Sequence, residues 1–210
     1  MTDLKIGRIM MGMVQTNCYF IYREGESQAI VVDPAEHGDL IFQKLTDKGF
    51  ETKAILLTHG HFDHILGVEK LKELSNAPVY APNAERIVLE SVENNCSAQV
   101  RRPCIVKADH FLQDLEMTKI GSISFQTIET PGHTIGSSCF YFEEAGILVS
   151  GDTLFLESVG RTDLPTGSGA TLSRSIKNKL ACLPGTTKVY PGHGDSTTIA
   201  HEIKYNPYIG

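Results

Sequence analysis

A chain of 210 residues, 41% hydrophobic and 21% charged, buries enough surface to fold without disulfide or metal staples. Its net charge of −6, with no basic block longer than Arg101-Arg102, excludes a nucleic-acid footprint. No apolar run approaches the ~18 residues of a membrane span, and MTDLKIGRIM lacks the apolar core and cleavage site of a secretory leader. The expectation is one cytoplasmic domain over residues 1–210 with neither nucleic acid nor membrane as partner; oligomeric state is left open.

The N-terminal third reads as strands LKIGRIMM, NCYFIYR and QAIVVD, rich in β-branched and aromatic residues and broken by turn residues such as EGES. AEHGDLIFQKLTDKG then reads as a helix, with Leu40, Ile41, Lys44 and Leu45 on neighbouring faces and Gly49 as its stop. KAILLT is a buried strand. HILGVEKLKELS is amphipathic, with Ile65, Val68, Leu71 and Leu74 toward one side. PVYA is a short strand, and PNAERIVLESV a helix opened by Pro82. In the second half SISFQTIET, SSCFYF and AGILVSGD read as strands. SGATLSRSIKNKLACL is a helix through Leu172, Ile176, Leu180 and Leu183, TKVYPG a last strand and TIAHEIKYN a closing helix. Strands alternating with helices in two halves indicate helices layered outside sheets.

Cysteines 18, 96, 104, 139 and 182 form no CxxC pair, which fits free thiols in a reducing compartment. Cys139 and Cys182 lie in apolar periodic segments and read as packing residues. So do Tyr141 and Tyr190.

One stretch is chemically dense. LLTHGHFDHILG places His59, His61, Asp63 and His64 within six positions directly after the KAILLT strand. Histidines at i and i+2 of an extended segment point their rings to the same side and form a clamp. Asp63 and His64 follow as the chain turns into a helix. Further donors close other strands: His133 in TPGHT, Asp152 in SGDT and His193 in YPGHG, each with an adjacent glycine. Five of the eight histidines occupy this pattern.

Seven donors exceed the four of a structural zinc and match two metals. A pair of dications roughly 3.5–4 Å apart needs a shared anion, and Asp152 is the natural bridge. His59, His61 and His133 are expected on one metal, and Asp63, His64 and His193 on the other. Imidazole with carboxylate suits zinc first, with iron and manganese as alternatives.

THGHFDH, PGHT, SGDTLF, GRTDLP and YPGHG, taken in that order, resemble the metallo-β-lactamase superfamily, and most of all its short glyoxalase II-like hydrolases. The resemblance runs from VVDPA at 31–35 to NPYIG at the end. It implies an α/β fold, a four-layer αβ/βα sandwich with the metals at one sheet edge. It further implies a hydroxide bridging two cations that attacks a thioester carbonyl, with Asp63 and Asp152 as the catalytic carboxylates and a small-molecule thioester as the partner.

His61 stands where the flavodiiron branch has Glu, which disfavours redox di-iron chemistry. His64 and Asp152 stand where common zinc β-lactamases use other residues, which disfavours antibiotic hydrolysis. With about 17 residues after His193, the expectation is a domain without the C-terminal helical region that contacts glutathione in full-length glyoxalase II, and Phe140 stands where those enzymes place a glutathione-contacting Tyr. Hydroxyacylglutathione-type thioester hydrolysis is the leading expectation. A mononuclear-iron persulfide dioxygenase, suggested by GRTD, hydrolysis of other esters or lactones, and a non-catalytic metal-binding domain are the alternatives. By the same resemblance Asp33 braces the metal loop. Thr58, Ser150 and Thr134 are candidates to hydrogen-bond the imidazoles, and Arg161 and Asp163 either pair or face the pocket.

Overall fold

The computed structural model describes residues 3–209. Met1 and Thr2 of the stretch read for a leader, and Gly210 at the close of NPYIG, lie outside them. β1 (Leu4–Met11), β2 (Thr16–Arg23), β3 (Gln28–Val32), β4 (Glu51–Leu56), β5 (Val79–Pro82) and β6 (His110–Leu112) form one six-stranded sheet in that order. Its first two pairings are antiparallel and the last three parallel. The second sheet holds β7 (Met117–Ile120), β8 (Ile123–Glu129), β9 (Ser138–Phe142), β10 (Ile147–Gly151), β13 (Lys188–Pro191) and β14 (Thr197–Thr198), in the order β14-β13-β10-β9-β8-β7. Between β10 and β13 a small hairpin, β11 (Leu154–Phe155) and β12 (Ser158–Val159), sits beside the second sheet.

Side-chain alternation along the strands makes this a four-layer structure. In β2, Cys18 and Phe20 face one way and Tyr19 and Ile21 the other; in β9, Phe140 and Phe142 oppose Cys139 and Tyr141. The inward set of both sheets makes a central apolar layer, in which Phe125 and Phe140 meet edge to face at 5.4 Å. The outward set of the first sheet is covered by α1 (Gly38–Asp47), through Ile41 and Leu45, and by α3 (Val68–Ser75), through Val68 and Leu71. The outward set of the second is covered by α5 (Gly169–Ser175), through Leu172, and α6 (Ile199–Tyr205), through Ile199. Every apolar face is thus buried against another element, and the αβ/βα sandwich is the observed fold. No helix among the described residues is long and apolar enough to cross a membrane.

Several elements differ from the sequence reading. The helix expected from His64 to Ser75 is two, α2 (Phe62–Ile65) and α3, because the Gly67 N–H turns to the Pro34 carbonyl at 2.9 Å and leaves the helical ladder. Leu40 and Leu74 are exposed. The helix expected after Pro82 shrinks to a 3-10 turn and α4 (Arg86–Leu89), since Leu89 gives its carbonyl to the Val106 N–H at 3.0 Å. The long helix near the C-terminus is capped by Ser168, which accepts from the Thr171 N–H, and widens into a π turn over Ile176–Leu180. Cys139 is buried as expected, whereas Cys182, past that turn, is exposed.

Candidate metal centre

The cluster forms where chain segments leave strand ends of both sheets. After β4, Leu57 and Thr58 continue the extended path, and His59 and His61 follow; Asp63 and His64 ride on α2. His133 comes from the loop between β8 and β9, Asp152 from the end of β10, and His193 from the end of β13. The Ser138 N–H donates to the Thr58 carbonyl at 2.9 Å and ties the two sheets together beside the site.

All seven expected residues converge. His133 Nε2 lies 2.8 Å from His61 Nδ1 and 3.2 Å from His59 Nε2. Asp63 Oδ2 lies 3.2 Å from His193 Nε2 and 3.5 Å from His64 Nε2. Both triads, His59/His61/His133 and Asp63/His64/His193, have donor atoms close enough to hold one ion each. Asp152 stands between them, with Oδ1 3.4 Å from His64 Nε2 and Oδ2 3.6 Å from His133 Nε2 and 3.5 Å from His193 Nε2. The two donor groups are the sets read from the motifs, with Asp152 placed between them.

The outer ring nitrogens have partners of their own, which in the neutral ring leaves the inner nitrogen as the lone pair for an ion. His64 Nδ1–H donates to Asp33 Oδ2 (2.9 Å), His133 Nδ1–H to the Arg161 carbonyl (2.7 Å), and His193 Nδ1–H to the Val14 carbonyl (3.2 Å). The Thr58 hydroxyl donates to Asp33 Oδ2 at 2.6 Å, so it accepts from His59 Nδ1–H at 3.1 Å. Such partners assign the tautomer and orient the ring. His61 is reversed: Nδ1 faces the cluster, and Nε2 is buried without a partner.

The electrostatics ask for a cation. Burial and the neighbouring imidazoles of His64 and His133 hold His59 far below its ordinary pKa, and burial with His133 brings His61 down to about 3. Burial disfavours ionised Asp63 and Asp152, yet His64 and His193 outweigh it and keep both carboxyls below the usual range. Burial likewise opposes charge on His64 and His193. Asp63, Asp152 and Asp33 overcome it at His64, and Asp152 with Asp63 lifts His193 to about 9. Protons thus gather where a dication would compete for the same lone pairs. Two buried inward atoms, His64 Nε2 and Asp152 Oδ1, have no hydrogen-bond partner. The donor set and these orphaned atoms fit two metal ions.

Asp33 braces the loop as expected: it also accepts the Thr58 N–H at 2.8 Å. It does so at φ +50°, the left-handed region, an observed strain of the kind that clusters at functional sites. Ser150 and Thr134 do not touch the imidazoles; Ser150 donates to the Leu154 carbonyl and Thr134 to Glu85. Arg161 and Asp163 pair in two hydrogen bonds of 2.7 and 2.8 Å on the exposed surface. Phe140 is buried between the sheets and is not among the residues that line the cavity at the centre. Tyr141 packs in the core, and Tyr190 is half-buried edge-on against Tyr19 at 5.7 Å.

Sequence reasoning missed three supports. The Thr16 hydroxyl donates to Asp63 Oδ2 at 2.9 Å. Asn17 and Tyr19 hold the turn before His193, donating to the Pro191 carbonyl at 2.9 and 2.7 Å. That turn passes so close to the centre that a Cβ on Gly192 would lie 2.2 Å from Asp152 Oδ1. Glu85, fully buried, is the third. None of them belongs to a strand-end His/Asp motif, and only the folded chain brings them near. The centre opens into a cavity of about 450 Å³ with Val14, Phe62, Phe155, Val159 and Leu164 among its walls and Arg161 at one side.

The chain belongs to the metallo-β-lactamase superfamily, whose model matches residues 11–193. It is 37% identical to the probable metallo-hydrolase YqgX of Bacillus subtilis over 98% of each chain. It is 32% identical to hydroxyacylglutathione hydrolase GloC of Haemophilus influenzae over 93% of each. Among solved structures, the BLEG-1 B3 metallo-β-lactamase superposes with a TM-score of 0.93 at 38% identity, covering 98% of this chain and 99% of that one. TTHA1623 in a di-iron-bound form superposes with a TM-score of 0.84 at 33% identity, covering 96% and 99%.

Proposed function

We propose that this chain is a dinuclear metal-dependent hydrolase that cleaves thioesters of the hydroxyacylglutathione type. The observation that carries the reading is the pair of donor triads on either side of Asp152. The similarity to GloC supports a thioester as the bond cleaved. Zinc is the first choice of metal, and the di-iron form of TTHA1623 supports iron as an alternative.

Two bound dications would supply electrophilic activation of a carbonyl and acidify water. The chain's own part is positioning. Asp33 and Thr58 fix the His59 and His64 rings. Asp63, held by Thr16, presents its carboxylate at the cavity floor, where it can accept a hydrogen bond from an attacking water. Phe155, whose ring lies 6.1 Å from that of His193, and the other apolar walls exclude bulk water from the acyl group. Water adds across the C–S bond, and a carboxylic acid and a thiol leave. Glutathione as the thiol half draws no support from the walls, because the Arg161 guanidinium is already paired with Asp163.

The similarity to BLEG-1 favours a second reading, hydrolysis of a β-lactam amide by the same centre, against the expectation drawn from His64 and Asp152. Elemental analysis of the purified chain with a substrate panel tests both. Metal-dependent hydrolysis of S-lactoylglutathione without oxygen uptake supports the proposal. β-Lactam ring opening without thioester cleavage supports the second reading, and oxygen consumption with glutathione persulfide would replace both by a dioxygenase. Tight metal with no turnover of any thioester, ester, lactone or β-lactam would overturn every hydrolytic reading.

A further inference from the structure

Glu85 lies at the junction of a 3-10 turn and α4, outside every motif that carries a candidate ligand, and its side chain is fully buried. Its hydrogen bonds come from three neutral donors on two loops. Oε1 accepts the Gly60 N–H at 2.8 Å; Oε2 accepts the Thr134 hydroxyl at 2.9 Å and the Gly136 N–H at 2.9 Å. Gly60 lies between His59 and His61, and Thr134 follows His133 directly. One carboxylate therefore joins the two loops that carry all three members of the first triad. The fit is close, since a Cβ on Gly136 would lie 2.7 Å from Glu85 Oε2 and 2.3 Å from the Glu85 backbone nitrogen.

The second triad is held by other means. Asp63 is tied to Thr16, His64 to Asp33, and His193 to the Val14 carbonyl and to a turn clamped by Asn17. None of these touches Glu85. For stability alone a buried carboxylate surrounded by neutral donors is a poor choice, and burial pushes its pKa up to about 7. What the carboxylate does well is accept three hydrogen bonds at once, drawing the His59–His61 segment and the His133 segment to a fixed separation.

We propose that Glu85 is a positioning residue for one metal position only, the His59/His61/His133 position, which it assembles by clamping the two loops that bear those ligands. The proposal rests on the dinuclear reading above.

The test measures metal affinity rather than turnover. Zinc binding to the whole chain is followed by competition with a chromophoric chelator, in the wild type and in two single-position backgrounds. His193→Ala damages the second triad, and His133→Ala damages the first. Glu85→Ala in the His193→Ala background should weaken the remaining ion by about 10- to 100-fold, the usual cost of losing a partner behind the ligands. In the His133→Ala background it should change affinity by less than about twofold. Glu85→Gln, which keeps the shape but swaps an acceptor for a donor, should fold yet recover only part of the affinity. Thermal melting of the metal-free proteins separates this from a general loss of structure, which would lower zinc affinity equally in both backgrounds. Equal losses in the two backgrounds, or no loss in the His193→Ala background with either Glu85 variant, would overturn the proposal. A wild-type chain that takes up no zinc, iron or manganese would instead overturn the dinuclear reading on which it rests, and this proposal with it.

Discussion

His64 Nδ1 and Asp33 Oδ2 stand 2.9 Å apart, and the same carboxylate oxygen accepts the Thr58 hydroxyl at 2.6 Å. One buried carboxylate therefore sets the rings of His64 and, through Thr58, of His59, a member of each triad. Asp33→Asn keeps a residue that tolerates φ +50° but removes the charge and one acceptor. The variant should fold with an unchanged circular dichroism spectrum and lose metal affinity by about 10- to 100-fold. Unaltered affinity in a chelator titration would refute the brace.

Asp152 lies toward both triads, and its Oδ1 is buried without a hydrogen-bond partner. Asp152→Ala should abolish turnover and lower the metal content measured by elemental analysis. Full activity in a metal-poor Asp152→Ala protein would rule out the dinuclear scheme.

Metal removal should destabilise the chain, because the cluster leaves buried polar atoms unmatched and gathers protons on buried groups. An ion at about 100 times its Kd stabilises the folded state by roughly 2.7 kcal/mol per position. For a chain of this size that is roughly 5–10 °C in Tm per position. Calorimetry before and after dialysis against a chelator, with zinc added back, checks it; an unchanged Tm contradicts the assignment.

Glu85 gives a pH signature in the metal-free chain. Burial raises its pKa from 4.5 to about 7, although the bonds from Gly60, Thr134 and Gly136 pull the other way. The folded state thus keeps this proton longer than the unfolded chain does. Stability falls as pH rises from about 4.5 to about 7 and levels off above. The full shift corresponds to something on the order of 3 kcal/mol. Glu85→Gln has no proton to lose there, so its stability should decline less across that window. Parallel curves for wild type and variant, from denaturant unfolding at several pH values, would contradict a raised pKa.

The seven donors were legible because each follows a strand whose apolar run is itself legible, five of them at or just past its end and Asp63 and His64 on the short helix that comes next. KAILLT delivers His59 and His61, and AGILV delivers Asp152; a buried strand end is a fixed place from which a short loop can present a side chain. Helices layered outside sheets were legible because strand-like and helical runs alternate along both halves, whereas the four-layer αβ/βα arrangement was implied by the family resemblance, since NCYFIYR and SSCFYF are apolar on both faces. The break at Gly67, the short strands β6 and β7, and the exposure of Cys182 were not legible, because each depends on a partner distant in sequence or on a segment too short to show a period. The braces were hidden more completely. Glu85, Thr16 and Asn17 are ordinary polar residues in the linear text, and they matter through hydrogen bonds to residues 25 to 174 positions away. The amino-acid sequence by itself determined which groups can bind metal and which faces must be buried, because those follow from residue chemistry and local period. Only the tertiary structure decided which carboxylates hold the ligand rings in place, because a hydrogen bond between two loops exists only after both sheets have packed.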